Sequence, residues 1–510
     1  MGSHSKGSPT PNFGAASARL WVRMSYVMAA VGAALAVLAF PPFDLWPLTV
    51  VGPAVWLAGM RRLERPRDGF AVAAVYGVVF YFALMWWMSE LALEAIVALG
   101  LCQALYVALF GWAITKWGGH LRDAAWWVAV TGFWMVAEWI RYRFPVGGLE
   151  WGAFGYGVSS VAAARGVARW IGTTGLTAVL MAAAAGLATR RWRVAAVPVS
   201  AVVGVLVAVA LLPPRATDGV VRVAVVQGST PCPFVHCENE RYGTYQQHLA
   251  LTRTIEPGSV DLVVWSEGST GSWNADPINS PEVGEAIAAE AARIGAWMVV
   301  GGDRPVSDTH WVNANVFFSP EGEIVGEYRK QHPVPFGEYI PARPLFEWIP
   351  VLSRVPRDMI PGDGPVVFDL GDYDLGTVIS FEGGFAAYAR EVARAGADVL
   401  AVLTNEGSYG YTPASDQFIG MTRMRSAETG LDLIHAAVTG KSVIVTDGGV
   451  LGETTGLATQ EILYGQVRPR PGLETVYVRF GDWVMVAAML GSLVALTQRR
   501  RTGPRPEARA

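Results

Sequence analysis

Residues 373–387 read YDLGTVISFEGGFAA: an apolar strand that runs into a tight Gly-Gly turn and then a helix. A strand ended in this way holds one side chain, here Ser380 or a neighbour, at the carboxyl edge of a sheet. A short loop and a helix N-terminus can stabilise negative charge there. This is where a nucleophile is expected. Two further apolar runs end in isolated polar residues: VDLVVWSEG (260–268) with Glu267, and GEYRKQHPVPFGEYIP (326–341) with Lys330 and Glu338. A carboxylate, an ammonium and a hydroxyl together supply a general base, a cation for a tetrahedral oxyanion and a nucleophile for acyl transfer.

Around these segments, strands are predicted near 221–228, 260–267, 297–302, 313–318, 323–329, 365–370, 374–380, 398–404, 432–437, 442–447 and 475–479. Helical patterns fall near 239–255, 281–294, 386–396 and 416–430. Most strands are continuous apolar runs with helices between them, which implies sheets covered by helices in a layered α/β sandwich.

The rest of the chain is different in kind. Of 510 residues, 52% are hydrophobic and 16% charged, and residues 20–213 hold long runs of Ala, Val, Leu and Trp. Spans are predicted at about 24–40, 46–60, 69–88, 92–115, 124–140, 167–189 and 194–213, with an eighth at 482–498. Basic residues occupy alternate loops: Lys6, Arg19 and Arg23; Arg61, Arg62, Arg65 and Arg67; Lys116 and Arg122; Arg190, Arg191 and Arg193; Arg499 to Arg501. The positive-inside rule makes these loops cytoplasmic, so seven crossings put residues 216–480 outside. The expected organisation is a disordered N-terminus (1–19), a transmembrane bundle (20–215), an external catalytic domain (216–480), a final span (481–498) and a basic tail (499–510). The first apolar segment reads as an anchor, not a cleaved signal peptide.

One outer loop breaks the charge pattern. RYRFPVGGLEWGAFGYG carries Arg141, Arg143 and Glu150, and Arg165 and Arg169 follow. Interfacial anchoring and contact with phospholipid head groups both fit. Glu138, inside an apolar run, is expected to face protein or a polar cavity. A net charge of -3 gives no electrostatic case for nucleic acid, and no zinc spacing or cofactor motif is present. Cys232 and Cys237 are close enough to bridge, and a pair of free loop thiols fits equally.

The motifs W-x-E, Y-x-K-x-H-x-V-P-F-G-E-Y-x-P, I-x-F-E before a Gly-rich turn, L-T-N-E-G and R-M-R-x-A-E-T-G resemble the carbon-nitrogen hydrolase (nitrilase) superfamily. With the spans, the chain resembles the apolipoprotein N-acyltransferase family over nearly its whole length. The resemblance implies a polytopic helical membrane domain of about eight transmembrane helices carrying an extracytoplasmic α/β/β/α nitrilase-like sandwich, in a bacterial cytoplasmic membrane. It implies Glu267 as general base, Lys330 as oxyanion-stabilising lysine and Ser380 at the position of the family's catalytic cysteine. Glu338 and Glu382 match further acidic positions, and Trp265, Tyr339, Asn405, Tyr409 and Arg143 are the expected substrate contacts. The implied partners are a phospholipid acyl donor, a lipidated apolipoprotein acceptor and membrane lipids.

Ser380 departs from the family: a thiol is partly ionised near neutral pH, whereas a hydroxyl needs its proton removed during attack. Ser266 stands where the family has Pro, and EGSYG at 406–410 replaces an Asp-Gly-aromatic-aromatic-Gly run, which points to natural divergence. A silent nitrilase-like protein that binds lipoproteins or a partner enzyme, and a membrane-anchored amide hydrolase, are the alternative readings. FEWIPVLSRVP at 346–356 is either a membrane-facing lid or ordinary core.

Overall fold

A computed structural model of the chain describes residues 13–189, 204, 219–235, 237–271 and 274–497, with side chains from residue 19 onward in the first helix. Lys6 and the rest of the first twelve residues, the span expected at 194–213, Arg190, Arg191, Arg193 and the tail at 499–510 lie outside the described residues.

Helices α1 (Phe13–Val37), α2 (Leu48–Met60), α3 (Pro66–Leu84), α4 (Leu93–Ala113), α5 (Asp123–Arg141) and α6 (Ala162–Ala188) come first. Four stretches among the described residues are long and apolar enough to cross a bilayer: Arg19–Val37, Pro66–Leu84, Leu93–Gly118 and Ala162–Ala188. Of the other expected spans, α2 has 13 residues and α5 carries Asp123, Glu138 and Arg141. Small residues let the helices approach closely, as membrane packing favours. A Cβ on Gly32 would sit 2.5 Å from the Gly52 carbonyl oxygen, and one on Gly69 would sit 2.6 Å from that of Gly111.

Glu138 is buried and faces protein, with Arg141 Nη2 2.5 Å from its carboxylate. Arg141 also donates to the carbonyls of Leu149 (2.9 Å) and Trp151 (2.8 Å). Arg141 therefore braces the following loop and is turned away from lipid.

The sandwich has two sheets. The first is built from β1 (Val221–Gln227), β2 (Leu262–Trp265), β3 (Thr270–Gly271), β4 (Trp297–Pro305), β5 (His310–Phe318), β6 (Ile324–Arg329) and β7 (Asp358–Met359). The second takes β8 (Val367–Asp369), β9 (Asp374–Ile379), β10 (Val399–Thr404), β11 (Asp432–Ala437), β12 (Val443–Thr446) and β13 (Val450–Thr454). A last strand, β14 (Glu461–Val467), returns to the first sheet, whose order is β14-β1-β2-β4-β5-β6; the second runs β13-β12-β11-β10-β9-β8. The inner faces meet through Val223, Val225, Val264 and Phe317 against Leu375, Val399, Leu403 and Ile434.

Helices α7 (Glu240–Thr252) and α8 (Pro281–Ile294) cover the first sheet. The short α9 (Arg343–Phe346) lies in a loop, and α10 (Ala386–Arg394) and α11 (Ala414–Thr429) cover the second sheet. One apolar cluster runs from Leu400 and Val402 through Met421 and Met424 to Phe154, Trp151 and Met181. The α10–α11 layer is thus shared: one side carries the sheet and the other sits on the apolar helices. Of its 16 residues α11 buries 14, which is why its sequence shows no exposed polar face.

Residues 475–479 are not a strand. They fall in α12 (Val476–Phe480), where Thr475 Oγ1 accepts from Val478 N at 3.1 Å and Gly481 closes the turn at φ +62°. Tyr477 and Val478 bury their side chains where this helix contacts α6, α10 and α11. The strand that pairs with β1 is β14, antiparallel from Val221↔Val467 to Gln227↔Glu461. Tertiary packing against helices overrides the β-propensity of this run. The final helix, α13 (Trp483–Thr497), has 15 residues and packs on α5 where Gly132 meets Ser492.

Candidate active site

Strand β9 stops at Ile379, and Ser380 takes φ +52°, a left-handed conformation rare for a residue with a side chain. The strain is held by Glu382, two residues on and fully buried. One carboxylate oxygen accepts from Ile379 N (2.7 Å) and Tyr328 Oη (2.8 Å), the other from Gln331 N (2.6 Å) and His332 N (3.0 Å). Glu382 therefore clamps the Ser380 turn to the backbone that directly follows Lys330. With both oxygens doubly used it is a positioning residue, which corrects the expectation of a catalytic carboxylate here. Burial pushes its carboxyl up to about 7, against the pull of the Ile379 amide and Lys330.

Lys330 leaves the end of β6 into the interior, 1% exposed. Its Nζ lies 2.6 Å from Glu338 Oε1 and 3.5 Å from Glu267 Oε1. Burial works against the ammonium, but the carboxylates of Glu338 and Glu267 outweigh it and hold the pKa above the ordinary lysine value. Glu338 is pushed up by burial and drawn down by Lys330; its second oxygen accepts from Val334 N at 2.6 Å. Glu267, just past β2, accepts from Asn313 Nδ2 at 2.7 Å. Asn313 also accepts from Lys330 N through its carbonyl at 2.9 Å, so one residue of β5 aligns base and lysine. Gly301 permits this approach, since a Cβ there would meet Glu267 Cα at 2.8 Å.

The loop after β10 closes over the cluster. A Cβ on Gly268 would lie 2.7 Å from Asn405 Nδ2, which places the Asn405 amide beside the Glu267 backbone. Glu406, at φ +60°, is buried and pinned by His435 Nε2 (3.0 Å) and Ser415 Oγ. That anchor turns Tyr409 against Trp87 (ring centroids 4.7 Å apart) and Trp151 (6.1 Å), both outside the sandwich. Tyr339, half-buried, follows Glu338 in a turn closed by Phe336 N to its carbonyl at 2.8 Å. Arg143 is exposed and lines a cavity of about 300 Å³ with His332, Tyr388 and Asp482. Burial and Lys330 push His332 down to about 4, so it is neutral, with Nδ1 2.7 Å from Tyr388 Oη.

Trp265 is not at the site. Its side chain is fully buried under α7, with Nε1 donating to Thr252 Oγ1 at 2.9 Å. Strand alternation carries it to the face opposite Val264. The segment at 346–356 is core only in part: Leu352 and Val355 are buried with Ile340, whereas Trp348 is 76% exposed and no residue of α9 is buried. Cys232 and Cys237 form a disulfide, in a loop whose Phe234 ring packs on Tyr411 at 4.6 Å.

Asn313 and His435 escaped the sequence reading, as did the roles of Tyr328 and Glu406, which lie in the quoted motifs. A signal existed for the first: WVNANVFF places two asparagines at alternate positions of an apolar strand, and buried amides there need partners. No cluster of three or more potential metal ligands occurs among the described residues.

A family profile described as "Apolipoprotein N-acyltransferase N-terminal domain" matches residues 32–186, and one described as "Carbon-nitrogen hydrolase" matches residues 222–474. An apolipoprotein N-acyltransferase of Geobacter metallireducens is 28% identical, covering 94% of this chain and 96% of its own. One of Nitrosomonas europaea is 29% identical, covering 91% and 96%. Among solved structures, a carbon-nitrogen hydrolase from Helicobacter pylori G27 aligns at 17% identity and a TM-score of 0.38, covering 56% of this chain and 96% of that one.

Proposed function

We propose, from the premise that this chain belongs to the apolipoprotein N-acyltransferase family of carbon-nitrogen hydrolases, that it is a membrane acyltransferase using Ser380 to carry an acyl group from a phospholipid to the N-terminal amine of a lipidated protein. In this reading Glu267 takes the Ser380 proton as Oγ attacks the ester carbonyl of the lipid. Lys330 stabilises the oxyanion that forms. Collapse expels the lysophospholipid alkoxide, which takes the proton back from Glu267, and leaves an acyl ester on Ser380. The acceptor amine then attacks that ester; Glu267 removes the amine proton and returns it to the departing Ser380 oxygen, and an amide is formed.

The observation that carries this reading is the placement of Lys330, buried between Glu267 and Glu338 and joined through Glu382 to the turn that presents Ser380. The contact of Tyr409 with Trp87 and Trp151 supports a site close to the bilayer. Leu345, Phe346 and Trp348, exposed on one short loop, suit a lid that faces the membrane. We take residues 216–480 as the catalytic unit on the outer side of a bacterial cytoplasmic membrane, as the loop charges imply.

Ser380 also motivates a second reading, a protein that retains the fold and binds lipoproteins without turning over. Intact mass spectrometry of the full chain incubated with phospholipid separates the two. An added acyl mass on wild type that is absent from Ser380→Ala supports transfer; no adduct at any pH removes it. Passage of the adduct to an amine rather than to water excludes the amide-hydrolase reading.

A further inference from the structure

A group of arginines sits where α6 and the 38–47 loop meet the sandwich, away from Ser380. Arg165 and Arg169 are one turn apart at the start of α6, and Arg423 reaches them from α11. All three pack on the Asp447–Gly449 turn. A Cβ on Gly449 would lie 2.4 Å from Arg165 Cδ, and one on Gly448 would lie 2.5 Å from Arg169 Nη2. Both glycines have positive φ, +67° and +109°, so the turn is shaped to admit the guanidinium stems.

No carboxylate pairs directly with these cations; Asp447 and Asp432 act on Arg169, and Asp44 on Arg423, only at longer range. Arg165 donates to the Ser159 carbonyl at 2.8 Å and Arg423 to the Gly449 carbonyl at 2.6 Å. Among the described residues no carboxylate lies within 4.0 Å of Arg165, Arg169 or Arg423. The nearby acids are engaged elsewhere: Asp447 with Arg470 (2.8 Å) and Arg468 (3.7 Å), and Asp432 with Arg470 (3.5 Å) and the Arg468 amide (2.9 Å). Asp44, the remaining acid facing Arg423, is itself raised by burial, and burial with Arg165 pushes Arg423 down to about 10. Partly buried like charges of this kind are unfavourable unless an anion joins them.

The border of the group says which anion. The 38–47 loop is tied to α11 by Gln417 Nε2 to the Pro41 carbonyl at 3.3 Å. It exposes Phe43 (54%), Leu45 (50%) and Trp46 (48%) beside Asp44. Below, Trp483 Nε1 at the start of α13 donates to the Trp170 carbonyl at 2.8 Å, which places this level at the end of the apolar helices. A cationic site rimmed by exposed apolar and aromatic side chains at that depth matches a phosphate head group with acyl chains attached.

We propose that Arg165, Arg169 and Arg423 bind the phosphate of an anionic phospholipid that is not the reacting donor, and that this lipid seats the sandwich on its helices. Detergent-solubilised full chain is titrated with short-chain phosphatidylglycerol, phosphatidylcholine or inorganic phosphate, and binding is counted by native mass spectrometry. Wild type should bind phosphatidylglycerol in preference to both others. Losing about 1 kcal/mol per arginine near a membrane surface weakens binding about fivefold, so Arg169→Gln with Arg423→Gln should weaken it roughly thirtyfold. Arg222→Gln, exposed at the start of β1 in the first sheet, should leave it unchanged. Should the double variant fail to fold, wild type alone still decides, because its preference for the anionic lipid must fall as salt rises. Equal binding by the double variant, equal binding of phosphatidylcholine, or a flat salt response overturns the proposal. Inorganic phosphate binding as tightly as the lipid overturns it too, by assigning the site to a free anion.

Discussion

Replacing Glu382 by Gln tests the clamp beneath Ser380 through its proton. The carboxyl is fully buried and raised from an ordinary 4.5 to about 7, so the folded chain binds this proton more tightly than the unfolded chain. Its stabilising contribution is therefore complete below about 4.5 and is lost as pH rises through about 7. The interval between those two values corresponds to about 3 kcal/mol, to be read as an order of magnitude. Glutamine cannot titrate. It can still accept from the amides of Gln331 and His332 and donate to Tyr328 Oη, but its NH2 faces the Ile379 amide, which is orphaned at a pH-independent cost of about 1–3 kcal/mol. Wild type should exceed Glu382→Gln by about 1–3 kcal/mol at pH 4, and the two should be nearly equal, or reversed, at pH 8. Denaturant unfolding of the detergent-solubilised chain, followed by tryptophan fluorescence across that range, measures the difference; groups common to both proteins cancel. A difference that stays flat, or grows with pH, would refute both the buried carboxyl and its sign.

Lys330→Met leaves Glu267 and Glu338 buried without their cation and should cost about 3–5 kcal/mol in the same unfolding assay, together with all acyl-enzyme formation. Asn313→Ala removes the donor that orients Glu267; it should slow single-turnover acylation by about 5- to 150-fold, whereas an unchanged rate would remove Asn313 from the site. Ser380→Cys introduces a softer, partly ionised nucleophile in the same turn and should raise the acylation rate; no gain, with folding intact, argues against Ser380 as the attacking residue. Gly172→Ala places a methyl group 2.4 Å from the Tyr477 ring at φ +67° and should destabilise by at least about 2 kcal/mol, visible as a lowered Tm.

Local pattern was enough where one segment decides its own conformation. The run from Asp374 to Ile379 is apolar and followed by Glu382 and two glycines, so its strand and turn were legible, as were the continuous strands at 398–404 and 432–437. The helical patterns near 281–294 and 386–396 were legible, and the structure gives Pro281–Ile294 and Ala386–Arg394. Glu267, Lys330 and Ser380 were readable as single polar residues at the ends of apolar runs. Their roles came from the resemblance, since each residue type is common in any domain of this size.

Contacts between distant segments could not be read in that way. Trp265 belongs to a recognisable motif, yet it packs under α7 while the chain leaves β2 before it reaches Glu267. Residues 475–479 have strand chemistry, but the Thr475 cap and packing against α6, α10 and α11 make them a helix. Asn313 became the residue that aligns base and lysine only because β5 lies between β4 and β6. Sequence by itself determined the strands at 221–228, 374–380, 398–404 and 432–437 and the helices at 281–294 and 386–396, because those choices rest on periodicity and turn chemistry within a few residues. Tertiary structure alone decided that Glu382 is consumed in holding the Ser380 turn, and that Arg141 is paired while Arg165, Arg169 and Arg423 are not, because burial and charge compensation depend on which remote chain segment arrives beside each group.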